Sequence, residues 1–89
     1  MSHDDANAVP AATAVAVLTH LVRSIVDDPE AVRVTTSPGR GKVRLEVSVG
    51  PGDLGRVIGR RGRTAQSIRT VVRAAAVRDS VDVDVDFAD

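Results

Sequence analysis

The chain has 89 residues, no cysteine, a single aromatic residue and equal numbers of basic and acidic side chains, 12 of each. A chain this short holds one small core, disulfides and thiolate metal sites are excluded, and no apolar run approaches the roughly 18 residues of a membrane span. The balanced charge hides a segregation: between Leu54 and Arg78 every ionised side chain is an arginine, and beyond Arg78 the chain carries aspartates and no base, so one side of the molecule can hold phosphates while the other repels them.

The opening stretch MSHDDANAVP is acidic and lacks the basic start and apolar segment of a signal peptide, which makes the cytoplasm the expected compartment. Residues 1–11 read as a disordered tail ended near Pro10. Val15, Leu18, Val22 and Ile25 then recur at spacings of three and four, one stripe of a helix running to about Asp27, where Pro29 forbids continuation. Val17, Leu21 and Val26 widen that stripe beyond the needs of one core face, and the surplus predicts a weak homodimer. Period two follows. Val32, Val34 and Thr36 alternate, SPGRGK supplies turn residues, and Val43, Leu45, Val47 and Val49 alternate with polar neighbours, which is a hairpin with one wet face. After the break at GPGD, Asp53 is placed to cap a short helix over about 54–58. The stretch GRVIGRRGRTAQSIR at 55–69 comes next, and Ile68, Val71, Val72, Ala75 and Ala76 form a second helical stripe, with Gln66, Arg69 and Arg73 on another face. Val81, Val83, Val85 and Phe87 alternate with aspartates as a last strand.

The central unit of strand, helix, turn, helix and strand, with Gly59-Arg60-Arg61-Gly62 as the turn, resembles the K-homology (KH) domain. Its signature I-G-x-x-G stands here within VIGRRG at 57–62. The helix and strand placed before that unit correspond to the type II arrangement of bacterial proteins, and the chain as a whole is similar to the small single-KH RNA-binding proteins of the KhpA type. The resemblance spans residues 12–87. It implies an α+β fold in the order α-β-β-α-α-β, three helices packed on one face of a three-stranded sheet, as one KH domain over 12–87. It also implies single-stranded RNA as partner and a role in RNA chaperoning or post-transcriptional control, together with self-association or pairing with a larger Jag-type RNA-binding protein. In the KH family this loop clamps the backbone of about four unpaired nucleotides. Carried across, Gly59, Arg60, Arg61 and Gly62 hold the phosphates, Arg63 adds charge, and Val57, Ile58 and Ile68 floor a groove beside a strand edge.

Other readings fit the residues less well. A glycine-capped basic turn explains the two glycines but not the flanking elements. The spacing of Gly55, Gly59 and Gly62 is neither a dinucleotide fingerprint nor a P-loop. DVDVD at 82–86 puts Phe87 where a calcium loop needs glycine, so its aspartates read as a solvated strand face. With Phe87 as the sole aromatic, the composition argues against base-stacking RRM and OB surfaces. His20 falls off the apolar stripe, and no base lies near a nucleophile, so neither a catalytic site nor a cofactor nor a metal is expected. A KH-like scaffold that binds only proteins is the remaining alternative; the two arginines inside the loop argue against it.

Overall fold

The computed structural model describes residues 11–88. The tail expected over 1–11 lies outside them except for Ala11, which is buried in the core. Helix α1 spans Ala12–Ile25, strand β1 Arg33–Pro38, strand β2 Val43–Ser48, helix α2 Leu54–Ile58, helix α3 Arg63–Ala76 and strand β3 Val83–Ala88. The sheet runs β1-β2-β3, with β1 antiparallel to β2 and β2 parallel to β3. Val34, Val47 and Phe87 make one rung of its inner face, and Thr36, Leu45 and Val85 the next. Against this face pack Ala14, Leu18 and Val22 of α1, Val57 of α2, and Ile68, Val72 and Ala76 of α3. The other face meets water and is laced by Lys42–Asp84 at 3.4 Å and by Arg44, whose Nε donates to Asp86 at 2.8 Å. Among the described residues no group of histidine and acid side chains could hold a metal, and no helix is long and apolar enough to cross a membrane.

Several local expectations change. The apolar surplus of α1 is absorbed at home: Val26 is buried, and Val17 and Leu21 pack partly buried against the core. The helix touches both α3 and the sheet, so it needs a wide stripe. Of the residues that motivated a homodimer through α1, Val26 is a core residue and Val17 and Leu21 lie at the core's margin. β1 also extends through Ser37 and Pro38, which pair with Arg44 and Val43. Proline is tolerated there because β1 is an edge strand whose outer side needs no N–H donor.

Asp53 precedes α2 as expected, but its side chain makes no cap bond. Asp53 is 3% exposed, and its carboxylate accepts hydrogen bonds from the N–H groups of Asp27 and Asp28, each at 3.1 Å. It thus ties the chain leaving α1 to the start of α2, and it stops α1 at Ile25 by taking donors that a further turn would use.

A second aspartate fastens the other end of α1. Asp79 accepts from Thr13 N–H at 3.1 Å and Ala14 N–H at 3.0 Å, an N-terminal cap supplied from the far end of α3. Partial burial pushes the Asp79 carboxyl up, but the donors from Ala14 and Thr13 outweigh it and hold the group below its ordinary value. Its contribution to stability is therefore full above the unfolded value of about 3.9 and is lost as pH falls through the lowered folded value. Asp79→Asn should melt about 4–8 °C lower at neutral pH. The gap to the native protein should narrow below about pH 4, as thermal melts across pH would show.

Candidate nucleic-acid interface

The basic stretch is folded as a helix, a tight turn and a helix. α2 ends where Gly59 N–H donates to Gly55 O at 2.9 Å, and the turn Arg60–Gly62 closes through Gly62 N–H to Gly59 O at 3.1 Å. α3 begins at once, with Gly62 as its first flanking residue and no side chain capping it. Its leading N–H groups and positive dipole end therefore lie beside the turn.

Three of the four loop residues have positive φ: Gly59 at 76°, Arg61 at 57° and Gly62 at 73°. The glycines do different things. Gly59 combines its φ with ψ 175°, a region open essentially to glycine alone. A Cβ there would run into the Thr64 side chain and lie 3.0 Å from the Thr64 backbone nitrogen. The space that glycine leaves at 59 is thus filled by the protein itself. At Gly62 a Cβ would meet nothing within 4 Å, so only its left-handed conformation favours glycine.

The expected site residues separate into two groups. Arg60, Arg61 and Arg63 are exposed, and Ile58, Gly59 and Gly62 are half-buried. Val57, by contrast, is 0% exposed and Ile68 is buried, because both face the sheet from their helices. Both side chains belong to the core cluster, so of the three expected floor residues Ile58 alone keeps exposed surface.

Charge pairing divides the arginines as well. Arg56 is engaged with Asp27 at 2.9 Å and with Asp53 at 3.6 Å. Arg60, Arg61 and Arg63 take part in no ion pair among the described residues. Open concavities elsewhere involve other residues: one of about 470 Å³ is lined by Lys42, Val43, Val77 and Val81, at the opposite end of α3 from the loop.

A protein-family model described as KhpA/KhpB, KH domain, matches residues 15–87. The chain belongs to that family. It is 59% identical over 69 residues to a protein named RNA-binding protein KhpA from Leifsonia xyli subsp. xyli, covering 76% of this chain and 90% of that one. The identity to the protein of the same name from Streptomyces coelicolor is 56% over 72 residues, covering 75% and 90%. To the one from Mycobacterium bovis it is 51% over 69 residues, covering 73% and 86%. The family is one of RNA-binding domains, not of enzymes, and the element order and mixed sheet are those of its α+β KH fold.

Arg69 reads from the helical period as lying on a face of α3 other than the apolar stripe, shared with Gln66 and Arg73. Instead it reaches β3: its Nε donates to Val85 O at 3.1 Å and its guanidinium lies over the Phe87 ring, 5.2 Å from the centroid. Nothing in the helical period announces this. The one available signal is the lone aromatic at 87 opposite a long cationic side chain, and it becomes visible only when α3 is laid on the sheet.

Proposed function

We propose that this protein binds single-stranded RNA by gripping the sugar-phosphate backbone at Gly59, Arg60, Arg61 and Gly62, and that it acts in the cytoplasm as an RNA chaperone or post-transcriptional regulator. The observation that carries the reading is the placing of Arg60, Arg61 and Arg63, exposed and without an ion-pair partner among the described residues, around the N-terminal end of α3. A helix N-terminus favours anions through its unpaired N–H groups and dipole, and the arginines add charge that can follow a flexible backbone. Ile58, half-buried at the loop, offers the apolar surface for a base. The names of the relatives, RNA-binding protein KhpA, agree with this.

Unpaired strands should be preferred, because an A-form duplex hides its base edges from side chains. With about three phosphates neutralised, log K should fall against log salt with a slope near −2. Fluorescence anisotropy with an unstructured strand and with a hairpin stem tests both points. Equal affinity for the two would favour a protein-only interaction module.

For protein partners, a second copy or a larger Jag-type protein, the apolar surface that supports an interface is Val71 midway along α3, 47% exposed, and Val77 in the turn after it, 74% exposed. Apolar side chains this open are suited to an interface. Changing both to Asp should shift a self-associating sample toward monomer in sedimentation velocity without unfolding it. A native sample that stays monomeric at high micromolar concentration would remove the homodimer.

A further inference from the structure

We infer that Arg69, laid over Phe87, is a stacking platform for one unpaired base of the bound RNA, an inference that rests on the RNA-binding reading above. Val43 N–H donates to Asp82 O and Val49 N–H to Ala88 O, so the even-numbered residues of β3 face β2. The alternation of a strand turns the backbone groups of Val83, Val85 and Phe87 to the free edge. Arg69 rises from α3 to that edge and covers the Val85 carbonyl with Nε. Its guanidinium is thereby held at two points, by a hydrogen bond at 3.1 Å and by the ring 5.2 Å away, the latter within the distance at which a cation and an aromatic face attract.

A guanidinium is planar, weakly hydrated and able to stack with either face. With Phe87 behind the guanidinium on one side, a base can lie on the other, as unpaired bases do on arginine planes. The location suits this. Arg69 lies seven residues beyond Gly62, about 10 Å along the helix, within the span of the few nucleotides that the loop would hold. Phe87 is the only aromatic in the chain, and its role is positioning: it holds the guanidinium at the strand edge, while Arg69 touches the base. The site would therefore take any unpaired base, larger ones more tightly, and would not read its hydrogen-bonding edge.

The test uses the full chain and a short unstructured RNA in which each position in turn is made abasic. One abasic position should lower native affinity about 5-fold or more, the usual loss for one stacked base. Arg69→Lys, which keeps the charge but not the plane, should lower affinity for the intact RNA by a similar factor and leave the salt slope unchanged. It should cause no further loss on that abasic RNA. Phe87→Leu should behave alike, with melting curves confirming both folds. Arg69→Lys and Phe87→Leu binding like the native protein, while Arg60 and Arg61 still prove essential, would overturn the inference alone. So would a preference at that position for guanine and cytosine regardless of size, since that marks edge recognition by hydrogen bonds. The abasic and base-size series needs only the native protein, so an unstable variant does not remove the test. If no RNA bound the native protein at all, the RNA-binding reading itself would fall.

Discussion

Changing Arg60 and Arg61 together to Asp should lower RNA affinity by about 100-fold or more while the protein remains folded. Two charge-assisted contacts to phosphate, each worth about 1.5–3 kcal/mol, become repulsions. The fold has little reason to respond. Both side chains are exposed and in no ion pair among the described residues, and exposed substitutions usually shift stability by no more than about 0.5 kcal/mol. The backbone at 61 also favours the change, because its φ of 57° is left-handed and Asp visits that region more readily than Arg. Acids beside the start of α3 suit its dipole. Anisotropy and thermal melting on the same samples check both halves, and the neutral pair Arg60→Gln with Arg61→Gln should fall between.

The largest effect on stability is expected from Gly59→Ala. A methyl group at 59 would collide with Thr64, and the combination of φ 76° and ψ 175° is closed to alanine. Strain of this kind costs about 1–3 kcal/mol before any clash is counted, so the melting temperature should drop by at least about 10 °C. Gly62→Ala has open space around it and pays only for a left-handed conformation, about 1–2 kcal/mol. Gly62→Asn should cost less still. Melts of the three variants would order them, and equal loss at 59 and 62 would mean that Thr64 yields freely.

The element order was legible because each apolar stripe keeps its period: three and four in α1 and α3, two in the strands. The glycine pair with arginines inside it located the loop for the same reason, since its composition is local. What escaped were the side-chain hydrogen bonds that join distant parts of the chain. Asp53 reads as a cap of the helix that follows it, yet it serves Asp27 and Asp28. Asp79 reads as part of an acidic end, yet it caps α1. A carboxylate takes whichever donors tertiary packing brings near, and sequence spacing shows only the nearest ones. The breadth of the α1 stripe has the same kind of origin: the helix touches α3 as well as the sheet, which buries Val26 and partly covers Val17 and Leu21. Val57 and Ile68 read as groove floor from their motif positions, yet their side chains are buried, because motif position fixes neighbourhood and not exposure.

The central claim is that RNA is gripped at the loop, and amide shift mapping tests it most directly. An unstructured RNA oligonucleotide is titrated into the isotope-labelled chain and every backbone N–H is followed. The largest shifts should fall on Gly59 to Arg63 and the first turn of α3, and they should vanish in the Arg60→Asp, Arg61→Asp protein. Shifts concentrated on the water-facing side of the sheet or on Val71 and Val77, with Gly59 to Arg63 unmoved at saturation, would contradict the account.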